Sequence, residues 1–385
     1  MNRRAFLASS SLAALAAGST LRASAAASAQ TAAVIGHTGR GDYGHGLDGI
    51  FTGRAGIEVV AVADPDPVGR SRTAEKLMAP RQYADFREML DKERPKLVSV
   101  AMRHADQHHA IASACLEAGA HVYVEKPFVR SAAEADALLA LAEAKGLRIA
   151  VAHTMRMMPV VRQLRRVVAD GLLGELRELR AYGKQDQRAG GEDMMVLGTH
   201  LFDLCRLFCG DPRSVSGEVR IEGRPVTVSD RRLVRDNVGW VAGDQVWARF
   251  EFPGGVQMTF ASDGRLRETI GHWGIELLGS KGVARINCDI SPGVFVRRSG
   301  AWSAEGRRDD WQPLDAALVQ APPEHNLGPV GDWLQAIQER REPECSGRNG
   351  AWAVEMAMGV YASSMEGRRL PFPLADRRHP LDRTA

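Results

Sequence analysis

The sequence predicts an α/β chain in two parts: a doubly wound parallel sheet, then an α+β domain with a mostly antiparallel open sheet. Three observations carry this. Up to residue 152, short apolar runs alternate with helical patterns, the rhythm of a parallel sheet covered on both faces. Beyond His153, alternating segments are separated by turn signals such as Pro253-Gly254-Gly255 and Ser280-Lys281-Gly282, as in an antiparallel sheet. The length of 385 residues suits about two domains and their cores.

The elements come in this order. Strands are expected at 32–36, 57–63, 97–102, 122–124 and 147–152, with helices at 67–78, 85–92, 107–118 and 132–145, the last stopped by Gly146. A helix at 159–170 opens the second part, followed by a strand at 176–183 and a helix centred on His200. Strands at 215–221, 245–252, 256–262, 273–278 and 283–286 complete the second sheet. Residues 289–325 read as loop over that sheet, and helices at 329–340 and 350–366 close the chain.

Composition excludes some functions. Hydrophobic residues are 44% and charged residues 25%, the proportions of a soluble globular protein. Lys plus Arg number 50 against 47 Asp plus Glu, and no basic stripe is interleaved with aromatics, so nothing favours nucleic acid. The five cysteines form no C-x-x-C pair; Cys205 and Cys209 fall on an apolar helix pattern and read as core.

Residues 1–29 read as a leader. Arg3-Arg4 precede a weakly apolar run from Leu7 to Leu21, and Ala27-Ser28-Ala29 offers a small-x-small cleavage site. Paired arginines followed by Phe6 and Leu7 resemble a twin-arginine signal, which predicts the twin-arginine translocase as export partner and a periplasmic destination. The run is too short and too rich in Ala, Ser and Gly to anchor the mature chain in a membrane. The expected domains are then 30–152 and 153–385.

Chemistry concentrates at strand ends. Val122-Tyr123-Val124-Glu125-Lys126-Pro127 is a short strand ending in an acid and a lysine, where proline stops the ladder. In an open α/β sheet that end faces the ligand crevice. The first strand runs into Gly36-His37-Thr38-Gly39-Arg40-Gly41-Asp42-Tyr43-Gly44, a departure from G-x-G-x-x-G with Thr38 where a glycine is commoner. Such a turn lets a pyrophosphate approach Gly36, Thr38, Gly39 and Arg40 and reach the first helix's N–H groups. Asp64 closes the second strand, where a carboxylate accepts ribose hydroxyls and repels a 2′-phosphate, favouring NAD over NADP. Asp64 also reads as a helix cap before Pro65. Arg103 and His104 end the third strand and line the same crevice. His104, Asp106 and His109 match no standard zinc spacing, so no metal is expected.

In this order, these residues resemble the Gfo/Idh/MocA (glucose–fructose oxidoreductase/inositol dehydrogenase) family. The likeness runs from Ala32 to about Leu374 and rests on the glycine turn, Asp64 and Glu125-Lys126-Pro127. Arg156 with Pro159, Gly171 with Gly174, Gly198-x-His200-x-x-Asp203 and the terminal helices extend it. The resemblance implies a Rossmann domain, a second domain whose open sheet often mediates homo-oligomers, and hydride transfer between nicotinamide and a sugar or polyol carbon. It implies Glu125 and Lys126 beside the nicotinamide, Lys126 steadying the reacting oxygen, and His200 as acid/base.

Many members carry Asp four residues before this histidine, where this chain has Val196. Asp193 is two turns from His200 on the same helical face and is expected to substitute. His153, Arg156, Lys184, Asp186, Arg188 and Asp203 are expected to make a highly polar pocket for a polyhydroxy or anionic substrate. An exported enzyme meets no free nicotinamide pool, so its dinucleotide should stay bound and be restored within each cycle. The leading expectation is an exported NAD-dependent oxidoreductase of a sugar, polyol or sugar acid. Two others stay open: glycoside cleavage or epimerisation through transient oxidation, and non-catalytic sugar binding.

Overall fold

The computed structural model describes residues 29–267, 273–289, 292–298, 311–315 and 324–382. The expected leader, apart from Ala29, lies outside the described residues. Among them, no helix is long and apolar enough to cross a membrane.

The first domain opens with β1 (Gln30–Ile35), β2 (Ile57–Ala63), α1 (Pro67–Leu77) and β3 (Arg81–Tyr83). It continues through α2 (Phe86–Glu93), β4 (Leu97–Val100), α3 (His108–Glu117), β5 (His121–Val124), α4 (Ala132–Lys145) and β6 (Ile149–Val151). Six parallel strands lie in the order β3-β2-β1-β4-β5-β6, the doubly wound Rossmann arrangement. β4 is buried along its whole length and β5 from Val122 to Val124, which is why these strands read as unbroken apolar runs.

The second domain holds α5 (Pro159–Ala169), β7 (Leu176–Tyr182), α6 (Gly191–Asp193), α7 (Thr199–Cys209) and β8 (Ser214–Ile221). Its sheet grows through β9 (Arg224–Pro225), β10 (Gln245–Glu251), β11 (Gln257–Asp263), β12 (Gly274–Gly279) and β13 (Val283–Asn287). β14 (Gly293–Arg297) and β15 (Gln312–Pro313) extend it, then come α8 (Leu327–Glu339), α9 (Gly347–Glu366) and β16 (Leu370–Pro371). The ten-stranded sheet pairs antiparallel except at β7 with β11. α8 returns to the first sheet, where the fully buried Trp333 packs against Phe51 and Tyr123.

Three features depart from expectation. β3 is a short, polar edge strand with no apolar alternation to betray it. β14 and β15 lie inside the segment read as loop. Most consequential, no α-helix follows the glycine turn, only a five-residue 3₁₀ turn at Leu47–Phe51. Gly39, Gly41, Gly44 and Gly46 all take positive φ, a sequence of left-handed residues that an α-helix cannot contain.

Candidate active site

Two cavities open at the carboxyl ends of the first sheet, and the larger of them also reaches the second domain. One, about 270 Å³, is bordered by Gly36, His37, Asp64, Asp85 and Phe86. The other, about 300 Å³, is bordered by Lys126, His200, Lys184, Arg188 and Trp273 among others.

Lys126 follows β5 and is 8% exposed. Its ammonium donates to the Val196 carbonyl at 3.4 Å. Burial lowers its pKa, while the charge of Glu125 opposes that shift. Glu125 is itself fully buried and is held by the His45 ring and the Lys126 backbone N–H. Desolvation pushes the Glu125 pKa up, but His45 and Lys126 outweigh it and hold the carboxyl at about 2. Glu125 and Lys126 thus stand side by side in the wall of the larger cavity.

His200 comes from the other domain. α6 runs through a wide π turn, Met194–Gly198, into α7, so the helix changes pitch just before this histidine. Such turns often mark functional sites. The His200 ring lies edge-on to His153, with centroids 5.4 Å apart, and to Trp273 at 6.1 Å. His200 Nδ1 and both ring nitrogens of His153 are buried without a partner. Burial lowers the His153 pKa to about 4 and drives His200 well below the usual histidine range, with Lys126 adding to the latter. At neutral pH both imidazoles are uncharged.

Several expected site residues do something else. The Asp193 carboxylate turns away from His200, accepting from the backbone N–H groups of Lys184 (3.3 Å) and Gln185 (3.0 Å) and from Ser262 Oγ (2.6 Å). The wide turn between them breaks the face-sharing that ideal helical spacing implied. Arg156 and Asp203 pair with each other at 2.5 Å in the interior and do not border the His200 cavity. His153 lies behind His200 rather than in the cavity wall. Lys184 and Arg188 do reach the cavity, and Asp186 instead clamps Arg188 through bonds of 3.1 and 2.5 Å.

The cofactor-side residues divide similarly. Asp64 is fully buried, and its oxygens accept from Thr38 N–H (3.0 and 3.2 Å), Thr38 Oγ1 (2.7 Å) and Asp66 N–H (2.9 Å). It anchors the glycine turn, and its acceptor sites are committed to that turn rather than left for a ribose. It is also not the helix cap, because Asp66 caps α1. Gly36 borders the smaller cavity, and Gly39 N–H donates to Asp42 within the turn. Arg40 pairs with Asp106, Arg103 borders the larger cavity near Asp42, and His104 meets the Asn237 side chain. Among the described residues no cluster suited to a metal ion occurs.

Sequence reasoning missed Trp273, His45, Asp236, His325 and Asn326, which also border the larger cavity. No motif marks them, since loops far apart in sequence bring them in. A tryptophan opening an amphipathic strand was the only available signal.

Comparison with known proteins decides the family. Residues 31–153 match the "Oxidoreductase family, NAD-binding Rossmann fold" and residues 161–285 the "GFO/IDH/MocA C-terminal domain". The chain belongs to the Gfo/Idh/MocA oxidoreductase family. It is 22% identical to D-apiose dehydrogenase of Paraburkholderia graminis, over 84% of this chain and 86% of that one. It is 29% identical to trans-1,2-dihydrobenzene-1,2-diol dehydrogenase of Bos taurus, over 60% and 67%. Its fold matches levoglucosan dehydrogenase in complex with NADH and levoglucosan, with TM-score 0.71, 18% identity and coverage of 89% and 99%.

Membership of this Gfo/Idh/MocA family makes the crevice a nicotinamide dinucleotide site, and the residues present fit one. A cavity lies on each side of the glycine turn, and the buried Lys126 and His200 converge on the larger. The glycine turn offers a backbone of left-handed residues where a helix N-terminus is usual.

Proposed function

We propose that this protein is an exported NAD-dependent dehydrogenase of a sugar, polyol or sugar-acid hydroxyl. The observation that carries this is the convergence of Lys126 and His200, from different domains, on one cavity. Their chemistry suits removal of a hydroxyl proton and stabilisation of the resulting oxyanion. The dehydrogenase names of the relatives point the same way.

When bound, the dinucleotide supplies the hydride acceptor. His200, neutral because it is buried, takes the substrate hydroxyl proton. Lys126 places its ammonium beside the same oxygen and stabilises the alkoxide character that develops. Trp273 packs against the His200 ring and offers an aromatic wall to the C–H face of a sugar. Lys184 and Arg188 supply donors for further hydroxyls or a carboxylate.

NAD rather than NADP is favoured by the Asp64 carboxylate beside the smaller cavity, whose charge opposes a 2′-phosphate even while Thr38 holds it. The Arg3-Arg4 leader favours twin-arginine export with the dinucleotide already bound. A redox-neutral cycle of oxidation, elimination and re-reduction is the second reading. It is favoured by two neutral imidazoles in a site where, among the described residues, no carboxylate bonds to His200.

One experiment tests these readings together. Mass spectrometry of the denatured mature protein identifies any dinucleotide it releases, and a panel including levoglucosan and apiose is assayed for product and for NADH formation. Bound NAD with an oxidised sugar product, its hydride found in NADH or in a reduced second substrate, supports the dehydrogenase. Bound NAD with a product at the substrate's own oxidation level supports the redox-neutral cycle. No dinucleotide, and none bound on addition, removes both.

A further inference from the structure

We propose that His153 is the positioning residue of the site, holding His200 in the Nδ1–H tautomer so that its Nε2 lone pair faces the substrate hydroxyl. This rests on the dehydrogenase reading for its purpose, though not for its test.

The argument starts from unsatisfied atoms. His200 Nδ1 and both nitrogens of His153 are buried without partners. A polar nitrogen kept dry without a hydrogen bond is costly, and native structures rarely tolerate three so close together. The two rings lie edge-on with centroids 5.4 Å apart. Rings turned so that their nitrogens face each other at that separation stand roughly 3 Å apart, within N–H···N reach. Rotations about the Cβ–Cγ bonds of the two rings can therefore convert orphaned atoms into a bond.

Among the described residues nothing else can orient His200. Asp193 is committed to Lys184, Gln185 and Ser262, and Asp203 to Arg156. Val196 offers only its backbone carbonyl, which Lys126 takes. His153 is well placed to accept. The Cys345 thiol donates to its backbone carbonyl at 3.4 Å, fixing the main chain. The charges acting on its ring are Glu125 and Lys126 after β5, Arg156 in its own loop and Asp203 on α7. Asp203 and Glu125 favour a proton on His153, while Arg156 and Lys126 oppose it. Burial outweighs them all, so His153 stays a neutral acceptor. It thus takes the part a carboxylate would play, without adding a charge beside Lys126.

The test is histidine-ring NMR of the 15N-labelled mature protein near neutral pH, with His200 assigned by comparison with His200→Gln. Long-range 1H–15N correlations report which nitrogen carries the proton. Wild type should show His200 as Nδ1–H. His153→Phe keeps a ring in place but removes the acceptor, and should shift the tautomer ratio toward Nε2–H by about fivefold or more, the worth of one hydrogen bond. His153→Asn keeps an acceptor oxygen and should retain most of the Nδ1–H form, which also covers failure of the Phe variant to fold. A wild-type Nε2–H ring, or a ratio unmoved by both substitutions, overturns the proposal. The measurement needs neither dinucleotide nor substrate, so failure of the dehydrogenase reading would show separately, as absence of an oxidised sugar product.

Discussion

The ammonium of Lys126 donates to the backbone carbonyl of Val196 at 3.4 Å, so this lysine is tethered to the helix that carries His200 one turn later. The bond joins the two domains. It also explains how an apolar residue can occupy position 196: the main chain, not the side chain, meets the lysine.

Lys126→Met keeps the length of the side chain and removes its charge. Turnover should fall by about 10²–10⁴-fold, the usual worth of a positioned acid or electrostatic group, while NAD affinity changes little. Stopped-flow hydride transfer and isothermal titration would separate the two. Equal loss of binding and turnover would make Lys126 a cofactor ligand alone.

Val196→Asp places a carboxylate one helical turn before His200 and beside Lys126. A nearby negative charge favours the protonated imidazole, so the acid limb of the kcat profile should move to higher pH. An unmoved limb would mean that the 196 side chain does not face His200.

Asp193→Ala deletes the acceptor for Lys184 N–H, Gln185 N–H and Ser262 Oγ. Stability should fall by roughly 1–3 kcal/mol, read by chemical denaturation. KM should rise because the strand end bearing Lys184 loosens, while the acid limb stays in place. Packing is tight here: a Cβ on Gly183 would lie 2.2 Å from Asp193 Oδ2, so Gly183→Ala should weaken the same junction. A shifted acid limb in Asp193→Ala would restore Asp193 as the partner of His200.

Asp64→Ala frees Thr38 and with it the glycine turn. NAD and NADP binding should both weaken, by about 1–3 kcal/mol, because the shared phosphate stretch loses its anchor. NADP should lose somewhat less, since a repulsion disappears with the carboxylate. Titration with each dinucleotide measures this; loss confined to NAD would return Asp64 to the ribose.

Acid should destabilise the fold well before carboxylates titrate. Burial depresses His121, His153 and His379 to about 4 from an ordinary 6.5. Between those values the unfolded chain binds protons that the folded chain refuses, so stability is full above about 6.5 and declines as pH falls toward 4. A drop of that size corresponds to about 3 kcal/mol for the fully buried His153. Denaturant midpoints from pH 7.5 to 4 would show the slope, and His153→Phe should flatten part of it. A midpoint constant across that range would refute it.

Elements whose pattern has one physical cause were legible in the sequence. The apolar strands β1, β2, β4 and β5 needed burial on both faces, and α4 ran from its Ser131 cap to Gly146, as its sequence signals. Lys126 was legible from its place at the end of an apolar strand, and His200 from the family resemblance rather than from its local pattern. β3 was not, because an edge strand can be polar. Nor was the lost helix after β1, because a glycine turn does not dictate the element that comes after it.

The sequence by itself determined the two-part α/β order through local periodicity and turn chemistry, and its family resemblance pointed to Lys126 and His200 as the residues of the crevice. Only the tertiary structure decided the partners of the charged groups. Asp193, Asp203, Arg156 and Asp64 are all buried, and a buried charge must be satisfied by whatever the fold brings near. For Asp193 that is Lys184, Gln185 and Ser262; for Asp203 it is Arg156; for Asp64 it is Thr38 and Asp66. Helical spacing could place Asp193 on the face of His200. It could not show that a π turn would intervene, or that the exit of β7 would claim the carboxylate first.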